Sequence, residues 1–226
     1  YFRQRARTLP RLVELIESVC TARPGNYLVA LPSFEYLEQL AAALSKAGPG
    51  LSVCKQHPGM TDPEREAFLA AFSDQGETRI GLIVLGGVFG ESVDFSHAPL
   101  SGVICIGVGV PPGSRQRTEM ARYFDQRIGP GGGTTVAYLQ PAMTKILQMA
   151  GRLLRGPEDR GILCLVDDRF ARPDYQRFFP EHWRPVLVGS QQVAGRVHEF
   201  WRTSAELPRL PGSAGASDSH AVETLV

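Results

Sequence analysis

The sequence predicts an α/β fold, a parallel β-sheet flanked by helices on both faces, on the strength of three observations. Apolar runs of strand length recur along the chain, and several are continuous rather than alternating, as in strands buried on both faces of a parallel sheet. Segments of helical periodicity lie between them, so strand and helix alternate and the connections read as βαβ crossovers. The composition is that of an ordinary folded domain, with 43% hydrophobic and 21% charged residues over 226 positions. That is enough for one buried core of about 180 to 200 residues plus a tail.

Leu9 to Val19 reads as an amphipathic helix packing on the sheet. Tyr27–Leu31 is the first strand. Ser33 is placed to cap a helix through Lys46 that turns Leu37, Leu40, Ala41 and Leu44 inward and stops at Gly48-Pro49-Gly50. Leu51–Cys54 is the next strand, and Asp62-Pro63 starts a helix facing the core with Phe68, Leu69 and Phe72. Ile80–Leu85, Val103–Val108, Thr135–Leu139 and Ile162–Val166 read as further strands. Between them, Pro111 to Arg127 carries Arg115, Arg117, Arg122 and Arg127 with Glu119 and Asp125; a solvated helix explains it about as well as a DNA or protein contact. His57 and Trp183 read as structural. Past Trp201 come Pro208, Pro211, Gly212 and a Ser/Ala-rich run, so the expected division is a domain over 1–202 and a disordered tail over 203–226. In open parallel sheets ligands bind beyond the carboxyl ends of the strands, so the site is expected in the loops that follow them.

Bulk charge excludes little: Lys+Arg 24 against Asp+Glu 23 nets +1, with no overall field to steer the chain toward nucleic acid or membrane. No window approaches the roughly 18 uninterrupted apolar residues of a membrane span, and the opening Tyr1-Phe2-Arg3-Gln4-Arg5 has no apolar run. A soluble, cytoplasmic protein with no membrane partner is the expectation, and the missing initiator Met predicts a piece of something longer. Cys20, Cys54, Cys105 and Cys164 are far apart and form no Cys-x-x-Cys pair. They read as small core residues, and no metal site is expected from this chain.

The most informative stretch runs from Pro141 to Asp168. Pro141 near the first turn and Gly156-Pro157 past the end bound a helix. At 3.6 residues per turn Met143, Ile146, Leu147, Ala150, Leu153 and Leu154 share one face, and Gln148, Arg152 and Arg155 fall together on the other, with Gly151 beside them. Glycine inside a helix costs about 1 kcal/mol relative to Ala, which points to close approach at the backbone. Two guanidiniums, an amide and a bare backbone patch suit a polyphosphate. A solvated face, with Arg155 offsetting the helix dipole, would account for an arginine pair alone.

The run Gln148-Met149-Ala150-Gly151-Arg152-Leu153-Leu154-Arg155, continued by Asp159, Gly161 and Asp167-Asp168-Arg169, resembles motif VI of the superfamily 2 DNA helicases of the XPD and DinG branch. Every fixed position of that branch's pattern is filled. Leu85-Gly86-Gly87-Val88-Phe89-Gly90-Glu91-Ser92-Val93-Asp94-Phe95, after a buried strand, is similar to motif V, with Ser92 where the family has Gly. Tyr27 to Phe34 is similar to motif IV. The three occur in the family's order over residues 1 to 200, the extent of its second, RecA-like motor domain.

The resemblance implies a C-terminal motor lobe of an ATP-dependent helicase moving 5′ to 3′ on single-stranded DNA. It assigns Arg152 and Arg155 to the γ-phosphate, one of them as an arginine finger, Gln148 to sensing that phosphate, and Gly151 to the same site. Glu91 and Asp94 would hold the motif V loop and link nucleotide to DNA; Pro32, Ser33, Phe34, Gly87 and Phe89 would meet DNA. The P-loop and the acidic pair that hold ATP and Mg²⁺ are not in this chain. An N-terminal motor lobe of the same polypeptide is therefore the implied partner, the fragment is expected to be inactive alone, and an iron–sulfur domain belongs to that lobe in part of the family. A RecA-like module that binds DNA or protein without catalysis is the alternative. A small dehydrogenase would leave the Gln-Gly-Arg-Arg stripe without a purpose, and the spacing GxGxxG is not met.

Overall fold

A computed structural model describes residues 5–47, 51–73, 77–91, 99–153, 159–206 and 222–225. Six parallel strands form one sheet in the order β2-β3-β1-β4-β5-β6: β1 Asn26–Leu31, β2 Ser52–Lys55, β3 Arg79–Val84, β4 Leu100–Ile106, β5 Gly161–Val166 and β6 Val222–Leu225. The continuous apolar runs are the reason. Every residue of β1 is buried, and successive side chains feed opposite faces, Tyr27, Val29 and Leu31 to one core layer and Leu28 and Ala30 to the other.

The first layer is closed by α1 (Arg5–Ala22), α2 (Phe34–Ala47) and α9 (Val193–Glu206), through Leu12, Ile16, Leu37, Leu40, Val197 and Trp201. Ser33 caps α2 as expected, its hydroxyl oxygen accepting from the Tyr36 amide at 3.3 Å. The second layer is closed by α3 (Asp62–Ala70), the single turn α4 (Val88–Glu91) and α7 (Gln140–Ala150), through Phe68, Phe89, Met143, Ile146 and Met149. The α5 helix (Arg115–Ile128) stands outside this layer with no buried residue. It reaches the sheet only through α6 (Gly132–Thr134) and the turn after it. The short α8 (Pro173–Gln176) follows β5 and buries Tyr175.

Three expectations are corrected. Thr135–Leu139 is a π-helical turn leading from α6 into α7, not a strand. Its carbonyls are used locally, the Gln140 amide donating to Thr135 O, so no ladder is open to it. The helix of the informative stretch ends at Ala150, with Gly151 as its C-cap at φ −63°, and Met149 rather than Leu147 completes its buried face. The end of the chain is also not wholly outside the fold, since α9 continues to Glu206 and Val222–Leu225 adds a strand beside β5. Cys20, Cys105 and Cys164 are buried and Cys54 half-buried, and burial pushes the Cys105 and Cys164 thiols up to about 12.

Candidate functional site at the carboxyl ends of the strands

The sheet changes winding direction across β1 and β4: the crossover from β1 carries α2 to one face and the one from β4 carries α7 to the other. The loops after them separate there, and a cleft of about 720 Å³ opens between Pro32, Tyr36, Gly107–Val110 and Asp167–Arg169. Pro32, Ser33 and Phe34 are half-exposed on its rim or beside it. Asp167 closes the β5 end: its carboxylate takes both the Nε and Nη2 of Arg169 at 2.7 Å and caps the turn after β5 by accepting from the Arg169 amide. Burial alone would raise the Asp167 carboxyl, but these Arg169 bonds hold it below the usual Asp range. The Arg169 guanidinium is raised in turn, first by the same hydrogen bond.

The loop after β3 begins next to the loop after β1, because the Leu85 amide donates to Leu31 O at 2.8 Å. Its turn needs glycine twice. Gly86 sits at φ +74°, where an L side chain is strained. At Gly87 a Cβ would come within 2.9 Å of Gln56 Nε2 and 3.0 Å of Val84 O. Gln56, a polar residue with only 5% exposure, is what shapes this turn: its Oε1 accepts from the Val84 amide at 2.9 Å. No motif marks Gln56, and only the pairing of β2 with β3 brings it here, the Gln56 amide donating to Leu82 O.

The same loop then lies along α7. A Cβ on Gly86 would fall 2.5 Å from Lys145 Cε and Nζ, one on Gly90 would lie 3.6 Å from Met149 Sδ, and the Gly90 carbonyl accepts from Arg152 Nε at 3.2 Å and Nη2 at 2.8 Å. Residues 145, 149 and 152, spaced i, i+4 and i+7, thus meet one short loop. Arg152 is held at the end of α7 by a bond the sequence does not foretell.

The expected site residues divide accordingly. Gln148 is exposed near the end of α7, Arg152 is half-buried against Gly90, and Gly87 is half-exposed in the turn. Gly151 is exposed, and a Cβ there would meet only ordinary contacts, 3.4 Å to Leu147 O, so nothing in the described chain requires glycine at this helix end. Phe89 is fully buried, its ring 4.3 Å from that of Phe68. It anchors the loop from within and offers no face to DNA. The backbone of Glu91 ends α4; Asp94 and Arg155 lie outside the described residues. No group of three His, Cys, Asp or Glu side chains among the described residues is placed to hold a metal, and no helix among them is long and apolar enough to cross a membrane.

Residues 16–186 match the model of the family described as the helicase C-terminal domain. The chain is 29% identical over 195 residues to the ATP-dependent DNA helicase DDX11 of Mus musculus, covering 76% of this chain and 22% of that protein. To the regulator of telomere elongation helicase 1 of Homo sapiens it is 28% identical over 231 residues, covering 93% of this chain and 19% of that one. It thus spans about a fifth of the length of the curated relatives it matches. In fold it is similar to a solved XPD helicase, with a TM-score of 0.58 at 20% identity over 76% of this chain and 30% of the other. The structure of S. tokodaii Xpd4 is similar as well, with a TM-score of 0.55 at 18% identity over 79% and 34% of the two chains. The architecture is the RecA-like α/β fold.

Proposed function

This chain belongs to the helicase C-terminal domain family, and from that premise we propose that it is the second motor lobe of an ATP-dependent DNA helicase moving 5′ to 3′ on single-stranded DNA. The observation that carries the reading is the junction at Gly90, where one guanidinium ties the loop after β3 to the end of α7. A loop assigned to DNA and a helix assigned to nucleotide are then one mechanical unit.

In this reading a preceding lobe of the same polypeptide holds the nucleotide phosphates in its P-loop and Mg²⁺ on its acidic pair. ATP supplies the free energy by loss of its γ-phosphoryl group to water. The residues assigned to the nucleotide suit that charge: Arg155 acts as the arginine finger, Arg152 adds a second guanidinium while tethered to the loop, and exposed Gln148 senses the phosphate with Gly151. Glu91 and Asp94 link the loop to the nucleotide. Pro32, Ser33, Phe34 and Gly87 meet the DNA backbone, with no sequence preference because phosphates are alike in every sequence. Closure of the two lobes on ATP and their opening after hydrolysis moves these contacts along the strand.

The test is ATP hydrolysis by the full-length parent protein, with and without single-stranded DNA. DNA-stimulated turnover is expected, and Arg155→Ala is expected to lower it by about 10³ to 10⁵ with the fold unchanged in circular dichroism. Wild-type turnover in the variant removes the finger from Arg155. No turnover in the wild type under any condition would leave a binding module without catalysis.

A further inference from the structure

Lys145 is the remaining side chain on the line where α7 meets the loop after β3. It is half-buried, and its terminal atoms lie directly on the Gly86 turn, in the space that a side chain at 86 would fill. Its neighbours in α7, Ala142, Met143, Ile146 and Met149, are buried apolar residues. No hydrogen bond or ion pair joins its ammonium to any of the described residues; the ion pairs among them lie elsewhere. A lysine ammonium carries three donors and no acceptor, and partial removal from water without an anion is unfavourable. Two features accommodate this one even so. Gly86 leaves it room, and the stem is pinned one turn ahead of Met149 and two turns ahead of Arg152, at the carboxyl end of β3 where ligands of such sheets bind.

We propose that Lys145 is a phosphate-binding residue of this site, presenting its ammonium at the Gly86–Gly87 turn to one phosphate group. The assignment rests on the helicase reading, which offers two phosphates at this end of the sheet, one in the DNA backbone and one in the nucleotide. Its chemistry is the same for both: a point charge with rotatable donors, suited to a phosphate oxygen and indifferent to base identity. It differs from Arg152 in that its charge is not committed to the loop carbonyl.

The experiment uses the full-length protein with Lys145→Met, which keeps the apolar stem on Gly86 and removes the charge, and Lys145→Arg, which keeps the charge. Two quantities are read: binding of an oligothymidylate across a salt series, and the KM for ATP at saturating oligothymidylate. If the phosphate is in the DNA backbone, Lys145→Met weakens binding several-fold and makes the slope of log K against log salt shallower by about 0.7, with KM unchanged. If it is in the nucleotide, KM rises several-fold and the salt slope stays as in the wild type. In either case Lys145→Arg restores most of the loss, which a merely structural role for the stem would not predict. Wild-type salt slope and KM in Lys145→Met overturn the assignment while leaving the helicase reading standing. A wild-type protein that neither binds the strand nor hydrolyses ATP overturns both.

Discussion

The helices α5 and α7 are 14 and 11 residues long and lie close together in the chain; a turn at Gly129–Gly131 ends α5, and α6 and the π-helical turn then run without a break into α7. They are held in opposite ways. α7 buries Ala142, Met143, Ile146 and Met149 in the core, so its position is set by close packing against the sheet and its polar edge is carried to a defined place. α5 buries nothing and is attached by polar contacts: Arg117 Nη1 donates to Ala137 O at 3.3 Å, and the Gly133 amide donates to Asp125 Oδ1 at 2.8 Å. Of the five large apolar side chains exposed among the described residues, Val110, Met120, Tyr123 and Ile128 belong to α5 or its approach. A site that needs fixed donors belongs with the first kind of helix: Gln148 is on α7, and Gly151 and Arg152 follow directly from its end.

The sharpest way to break the contrast is to hollow out α7. Ile146→Ala is expected to cost about 2 to 5 kcal/mol in urea unfolding, because a fully buried side chain is lost where rigid neighbours cannot close the gap. A cost near zero would mean that α7 is no better anchored than α5. A smaller effect is expected from Gly133→Ala, where the new Cβ would stand 1.8 Å from the Ala121 carbonyl oxygen. Backbone has to move, at about 1 to 3 kcal/mol, and faster hydrogen exchange is expected in α5 and α6 while the β1 and β4 amides keep their protection. Exchange rising equally in the sheet would show that α5 is part of the core unit. Least of all is expected from Met120→Ala, 42% exposed and packed on nothing in the core. Its change in stability should stay within about 0.5 kcal/mol, and a larger loss would mean that the Met120 side chain is packed rather than solvated.

Legibility in the sequence followed the same divide. The strands β1, β3, β4 and β5 are readable because burial on both faces leaves no room for polar alternation; the edge strand β2, with no buried residue, shows only as the short run Leu51–Cys54, and Ser33 is readable as a cap because its chemistry is local. Thr135–Leu139 was misread because a short apolar, partly β-branched run has the composition of a buried strand whether its amides pair across a ladder or along a helix. β6 was missed for a different reason: Val222-Glu223-Thr224-Leu225 follows a Pro- and Ser-rich stretch, and only the open edge of β5 makes it a strand. At the candidate site the pattern marks Gln148, Gly151 and Arg152, whose roles belong to the proposal, and the small-residue run marks the tight turn at Gly86 and Gly87. Gln56, Lys145 and the Arg152–Gly90 bond were not legible, since each depends on segments brought together from distant parts of the chain. Phe89 looked like part of an exposed loop, and its contact with Phe68 places it inside.

The alignment of Lys145, Met149 and Arg152 with a loop of five residues is a matter of angular phase. One residue added to α7 between Lys145 and Met149 would turn everything after it by about 100° and advance it by about 1.5 Å. The sulfur would leave Gly90 and the guanidinium would swing off its carbonyl, although no side chain had been altered. The two segments therefore behave like a meshed pair, tolerant of many exchanges of residue type but not of a change in count.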